Sequence, residues 1–373
     1  MPRPIHARID LSALRHNHAL ARHHAADARL WSVVKADAYG HGLLPAARAL
    51  QSLTDGFALV EFDGAVRMRE QGIRQPILML EGIYQAQDIA VCREHQLTPV
   101  VHDLWQLEAM IAAFMPPAIY LKLNTGMNRL GLSAAALKTA MQSLEATGCS
   151  TSVTLMTHFA DADDARGIAW QIAQLKAMTQ GLSFPVSLAN SAALLRNPES
   201  VSGSDNWARP GIMLYGSSPF SSEQSARELG LKPVMTLSSE IIGVQHLQQG
   251  DRVGYGGTFT ADAPMTVGIV ACGYADGYPR HAPTGTPVLV SGQRTRTLGR
   301  VSMDKLCVDL TGLARVGVGE TAILWGGDAS GGTSGKNSAY LAADEVATAA
   351  GTIAYELFCA LAGRVVTEYV GAT

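Results

Sequence analysis

The chain has 373 residues, 47% of them hydrophobic and 16% charged, which excludes a mainly disordered polypeptide. Its 29 basic and 32 acidic side chains leave a net charge of −3, without the basic footprint of a nucleic-acid binder. No apolar run reaches bilayer length and the first eight residues hold no apolar signal core, so the expectation is a cytoplasmic protein with no membrane partner.

The length suggests two domains, or one barrel plus an appendage. The early histidines, His6, His16, His18, His23 and His24, read as solvated helix residues. Eight short apolar runs then recur: Trp31–Ala36, Phe57–Val60, Ile77–Leu80, Thr98–Val101, Ile119–Leu123, Val153–Thr157, Val186–Ala189 and Ile212–Tyr215. Runs of this length bounded by polar residues fit buried parallel strands. Between them, Glu61–Gln71, Leu104–Phe114 and Ala165–Gln180 carry helical periodicity; in the last, Ile168, Ile172, Leu175 and Met178 share a face. Eight strand–helix units suit a (β/α)8 barrel over 1–232, with a doubly wound open sheet as the rival. Lys35, Asn124, His158, Asn190, Ser191 and Arg209 fall at or near predicted strand ends. A barrel gathers such ends on one face, where they can share a site. Beyond Lys232-Pro233, short Gly-punctuated strands appear at Val234–Val244, Met265–Cys272, Pro287–Val290, Met303–Leu310 and Thr321–Leu324, with helical periodicity only at Ala339–Ala350. This reads as a mostly β domain over 233–373. Gly326–Lys336 lacks the residues of a phosphate-binding loop and reads as a flexible surface turn.

Five cysteines are scattered without a CxxC pair, and no histidine pair has ligand spacing, so neither a disulfide framework nor a metal site is expected. Lys35, in VVKADAYGHG, ends an apolar strand. A buried lysine is costly, and a neutral one can form a Schiff base; the plainer reading is a side chain snorkelling from the strand end. Lys122 lies within a second apolar strand, followed by Arg129 after a Gly turn; an arginine fork suits a carboxylate, or is simply a surface charge. His158 at a strand end is equally a structural hydrogen-bonder. Asn190-Ser191 and Gly211-Ile212 suit a phosphate site at the seventh and eighth strands, or ordinary turns. In the β domain, VGYGGTF around Tyr255 and GYADGYPR around Tyr274 combine Tyr with Gly; a Tyr serves as acid or base where cations lower its pKa.

Together, and in this order along nearly the whole chain, these segments resemble alanine racemase, a pyridoxal-phosphate enzyme of (β/α)8 barrel plus β domain. The resemblance implies that Lys35 holds the cofactor and is the base for D-alanine. It implies that Tyr255 is the opposing base, for L-alanine, contributed across a homodimer so that each site is shared. Tyr39, Asn190, Ser191, Gly211, Ile212 and Tyr355 match the phosphate pocket. Arg209 matches the arginine facing the pyridine nitrogen, and His158 the residue packed on the cofactor ring. Arg129 and the Met303 backbone match the substrate-carboxylate contacts, and Lys122 a lysine that some members carbamylate. Asp163, Tyr274, Arg280 and Arg300 match the entry corridor. The chain departs from the family pattern with Asn124 for Asp, Asp37 for Asn and Ser302 for Cys. A decarboxylase of the same fold would pair the pyridine nitrogen with an acid, which Arg209 is not. A broad-specificity racemase and a non-catalytic cofactor carrier also compete, and Tyr255 argues against the carrier.

Overall fold

A computed structural model describes residues 3–148, 150–220, 223–327 and 340–371. Most of the Gly326–Lys336 turn lies outside the described residues, as does Cys149. Two compact units emerge: residues 17–38 with 42–214, and residues 1–16 with 39–41 and 215–373. The second unit thus also takes in the first described residues of the chain. The cause is β1 (His6–Asp10), which hydrogen-bonds into the sheet of the second unit.

In the first unit, β2 (Arg29–Val33), β3 (Gly56–Leu59), β4 (Ile77–Met79), β5 (Leu97–Val101), β6 (Ala118–Lys122), β7 (Ser152–Met156), β8 (Val186–Ser187) and β9 (Trp207–Ala208) form a closed barrel. All neighbours are parallel, and β2 pairs with β9 to close the ring. Trp31 on β2 crosses the interior to donate to Tyr120 on β6 (3.0 Å) and stacks on Trp207 (4.1 Å between centroids). These rings make the barrel a packed core rather than a pore. Gly56 is required beside them, because a Cβ there would fall 2.2 Å from the Trp31 ring.

The helices follow local rules. Asp103 and Gln106 form a capping box at Leu104–Ala113, and Ser133 caps Ala134–Thr147, which Gly148 ends with φ +62°. Two expectations need correction. The eighth strand is Trp207–Ala208, and the apolar run Ile212–Tyr215 is one buried 3-10 turn. Pro210 has no N–H to continue the ladder, and a four-residue apolar run carries no period that separates strand from turn. His18 is buried rather than solvated, and its pKa is pushed down to about 4 by burial and then by Arg22, so it is neutral. His6 stands on β1 rather than on a helix.

In the second unit, β10 (Met235–Leu247), β11 (Arg252–Val253), β12 (Phe259–Thr260), β13 (Met265–Val270), β14 (Pro287–Val290), β15 (Gln293–Leu298), β16 (Leu306–Asp309), β17 (Thr321–Gly327), β18 (Tyr340–Leu341) and β19 (Val366–Val370) complete the strands. The pairings β10–β17, β17–β14, β14–β15, β15–β16, β16–β13 and β13–β10 return to their start, so this sheet closes on itself. The long β10 serves three partners in succession, and β19 lies parallel to β1 at the outer edge. No described helix is long and apolar enough to cross a membrane.

Candidate active site

β2 ends at Val33, and Lys35 opens an unusual turn rather than ending the strand. Ala36, Asp37, Ala38, Tyr39 and Gly40 all have positive φ, from +52° to +74°, a short left-handed helix. Left-handed geometry costs an L-residue about 1–2 kcal/mol, so the four non-glycine residues store roughly 4–8 kcal/mol. Named contacts hold it. Ala38 N donates to Val34 O and Gly42 N to Asp37 O, both at 2.9 Å. Asp37 Oδ1 accepts from Leu43 N (2.8 Å) and Glu61 Oε1 from Ala36 N (3.1 Å). Gly40 is obligatory, since a Cβ would fall 2.1 Å from the Phe358 carbonyl oxygen. Such strain persists only where surrounding contacts over-determine it, and here it is kept beside Lys35.

The barrel unit concentrates positive charge. Lys122, the last residue of β6, is buried, and its pKa is pushed down to about 8 by burial, then by Arg209 and Arg129, with Lys35 adding and Glu81 opposing. His158, after β7, is held well below the usual histidine range by burial and then by Arg209, Lys122, Arg129 and Lys35. Arg209, 4% exposed, donates to Ser187 O (2.6 Å), Ser187 Oγ (2.7 Å), Thr157 O (2.6 Å) and Leu188 O (3.1 Å), and approaches His158 Nδ1 at 3.3 Å. These acceptors are neutral, so the guanidinium keeps its charge; its pKa falls only to about 10 through burial. Lys35, Arg129 and Arg209 thus all act on Lys122 and, with it, on His158 in the barrel unit, a concentration of positive charge that suits an anionic ligand.

Arg129 is presented by a turn that Asn124 builds. Asn124 Oδ1 accepts from Gly126 N (3.1 Å) and Asn128 N (3.0 Å). An amide oxygen does this as a carboxylate would, without adding negative charge beside Lys122. Asn190 Oδ1 caps the short helix Ser191–Arg196 through Ala193 N, and Ser191 Oγ accepts from Gly211 N (2.9 Å) and Met213 N (3.4 Å). This draws Asn190, Ser191, Gly211 and the buried Ile212 into one small cluster of backbone N–H groups and short polar side chains, a setting that suits an anion. Gln171 is a further participant that sequence reasoning missed. It is fully buried; its amide accepts from Ala160 N (2.7 Å) and donates to His158 O (3.1 Å) and Thr125 Oγ1 (3.0 Å). Its one signal was a polar residue on the buried face of Ala169–Met178.

The β unit holds the other candidates. Tyr39 stacks on Tyr215 (4.7 Å) and leans on Tyr355 (5.9 Å), and burial raises its pKa, so it is a neutral donor. Tyr255 sits in the turn Tyr255–Gly257, framed by Gly254 (φ +69°) and Gly256 (φ +70°) and braced by Arg252, which donates to Gly256 O and Gly257 O. A Cβ on Gly256 would lie 3.3 Å from Arg300 Nη1, so Arg300 borders the Tyr255 turn. Tyr255 is 73% exposed and Met303 53%, with Tyr274, Arg280 and Arg300 also exposed. Asp163 is an exposed residue after β7. Among the described residues, no group of three His, Cys, Asp or Glu side chains could hold a metal ion.

A closed (β/α)8 barrel that buries Lys122 and Arg209, joined to a mostly antiparallel β unit, defines a two-domain barrel protein with a cationic barrel unit. The sequence matches the alanine racemase N-terminal domain over 9–219 and the alanine racemase C-terminal domain over 234–369. It is 50% identical over 368 residues to the alanine racemase of Polaromonas naphthalenivorans (strain CJ2), covering 98% of this chain and 99% of that one. The crystal structure of the biosynthetic alanine racemase from Pseudomonas aeruginosa superposes with a TM-score of 0.91 at 42% identity, over 98% and 99% of the two chains. An alanine racemase from Bartonella henselae, solved with covalently bound pyridoxal phosphate, matches with a TM-score of 0.84 at 25% identity, over 99% and 100%. The chain belongs to the alanine racemase family, whose activity is the interconversion of L- and D-alanine.

Proposed function

We propose that the chain racemises alanine by a two-base mechanism with pyridoxal 5′-phosphate, as a cytoplasmic homodimer. The barrel, 1–232, would bind the cofactor, and the β domain, 233–373, would supply the second base to the neighbouring subunit. The observation that carries this is that the barrel unit buries two cations, Lys122 and Arg209, with Arg129 and Lys35 near enough to act on Lys122 and His158. A phosphate ester and a substrate carboxylate are the anions such a set accommodates. The donors fit the cofactor. Lys35 stands on a strained turn after β2, Ser191 and Gly211 are joined in a cradle, and Arg209 is a buried cation.

Lys35 would hold the cofactor through its amine. Asn190, Ser191, Gly211 and Ile212, with Tyr39 and Tyr355, would hold the phosphate. Arg209 would face the ring nitrogen and, keeping its own proton, leave that nitrogen unprotonated. His158 would pack on the ring, with Arg129 and the Met303 backbone receiving the carboxylate. When bound, pyridoxal phosphate supplies the electron sink that makes the α-proton acidic. Lys35 Nζ then removes or returns that proton on the D-alanine face, and Tyr255 Oη does so on the L-alanine face. A Tyr that its own chain leaves 73% exposed suits a role completed by a second subunit. Lys122 would take up carbon dioxide as a carbamate: its depressed pKa keeps a neutral amine available, and its cationic neighbours favour the resulting anion. Asp163, Tyr274, Arg280 and Arg300 would line the entry. The reaction would supply D-alanine as a peptidoglycan precursor or serve alanine catabolism.

The test is alanine chirality over time, in purified protein with added cofactor, from separate L- and D-alanine starts beside a panel of other amino acids. Both starts converge on an equal mixture while the panel stays unchanged. Cofactor absorbance without turnover would refute the proposal, and turnover across the panel would refute its specificity.

A further inference from the structure

One charged network in the β unit belongs to none of these roles. Asp276 is fully buried. Its Oδ1 receives Arg3 Nη1 (2.6 Å) and Arg364 Nε (2.9 Å), and its Oδ2 accepts from Gly273 N (2.9 Å). Both arginines also reach Asp304. Arg364 Nη2 lies 2.5 Å from Asp304 Oδ1, and Arg3 Nη2 donates to Asp304 O (2.8 Å). Asp276 and Asp304 are thus clasped by two guanidiniums drawn from opposite ends of the chain.

Tyr274 and Met303 lie on the two loops that carry these carboxylates. The two loops are sewn together by Tyr274 N donating to Ser302 O and Ala275 N to Met303 O, each at 3.0 Å. The fit leaves no slack, because a Cβ on Gly273 would fall 2.3 Å from the carbonyl oxygens of both Ser302 and Met303. The clasp is buried at Asp276, while the Met303 it supports is exposed. A carboxylate removed from water is retained only where it is fully paired, and here the pairing sets the place of one short exposed loop.

We propose that Asp276 is a positioning residue for racemisation: through Arg3 and Arg364 it fixes the 302–305 loop so that the Met303 backbone is set to meet the substrate carboxylate. This rests on the role proposed for Met303. The residue does not touch substrate. Removing its charge loosens the loop that does, so the loss falls on carboxylate binding.

The test uses Asp276→Asn holoenzyme, which keeps the size and an acceptor for Gly273 N but loses the charge. Propionate, alanine without its amine, probes the carboxylate contacts as a competitive inhibitor. The expected result is KM for both alanine enantiomers, and the inhibition constant of propionate, raised together about tenfold, with kcat within about threefold and cofactor absorbance per subunit unchanged. Asp304→Asn, at the exposed end of the clasp, moves both constants in the same direction by about threefold and carries the test if Asp276→Asn does not fold. An unchanged KM with kcat lowered in proportion to folded protein would overturn the proposal, as would a raised KM with unchanged propionate inhibition. Propionate that fails to compete in the unaltered enzyme would instead overturn the role given to the carboxylate contacts.

Discussion

Replacing Lys122 by Met tests the electrostatic account of the barrel unit directly. Burial and the neighbouring Arg209 and Arg129 take the Lys122 pKa from 10.5 to about 8. That gap of about 2.5 pH units corresponds to roughly 3 kcal/mol by which the charged amine destabilises the fold at neutral pH. The sign follows from proton linkage. Below pH 8 the lysine is charged in both folded and unfolded chains, so the full cost is present. Between about 8 and 10.5 the unfolded chain binds more protons, so the stability of the unaltered protein rises with pH and the cost fades. Methionine fills a similar volume without charge. Lys122→Met is therefore expected to be more stable at pH 7 in buffer freed of carbon dioxide. On the scale of a barrel-sized unit, roughly 3 kcal/mol is a rise of about 6–12 °C in Tm. The gap should close steadily toward pH 10. Bicarbonate should reverse it, because a carbamate exchanges an unfavourable cation for an anion among cations. The assay is thermal unfolding of cofactor-free protein across pH, with and without bicarbonate. Lower stability of Lys122→Met at pH 7 without bicarbonate would refute the burial argument. A bicarbonate effect that persists in Lys122→Met would refute the carbamate.

Lys35→Ala should abolish the absorbance of the lysine-bound cofactor; an unchanged spectrum would sink that assignment. Tyr255→Phe should retain the cofactor but lose exchange of the α-hydrogen with deuterated solvent from L-alanine, read by mass spectrometry. Equal mixing of these two inactive variants should restore about a quarter of normal activity, since half the dimers are mixed and each mixed dimer holds one complete site of two. No recovery despite measured subunit exchange would argue against a shared site. Gln171→Leu should lower stability by roughly 2–5 kcal/mol, because Ala160 N and His158 O lose a partner and Thr125 Oγ1 keeps only Thr157. Unaltered melting and racemisation rate would show that Gln171 does not hold His158 in place.

Much of the barrel was legible because a strand buried on both faces must be a short apolar run, and seven of the eight predicted runs overlap observed strands. The eighth failed because only two residues, Trp207 and Ala208, complete the ring, too few to carry a pattern. The residues expected to touch cofactor or substrate are proposed for a different reason: they lie in local motifs, such as Lys35 before a glycine-marked turn. The support behind them was not legible. Ala36-Asp37-Ala38-Tyr39 reads as an ordinary segment, and its left-handed course is imposed from outside by Glu61, Leu43 and the space beside Phe358. Asp276 meets Arg3 across 273 residues of sequence, a separation at which no periodicity survives. A residue that contacts a ligand is constrained by its neighbours in the chain, because the loop that presents it must be built locally. A residue that holds such a loop is constrained only by what arrives from elsewhere in the fold, as Arg3 and Arg364 arrive at Asp276. The same reasoning explains why the strain beside Lys35 is sustainable. A turn with unfavourable backbone geometry persists because contacts from separate segments over-determine it. Releasing one of them, by Glu61→Ala, should therefore disturb Lys35 more than its exposed position alone would suggest.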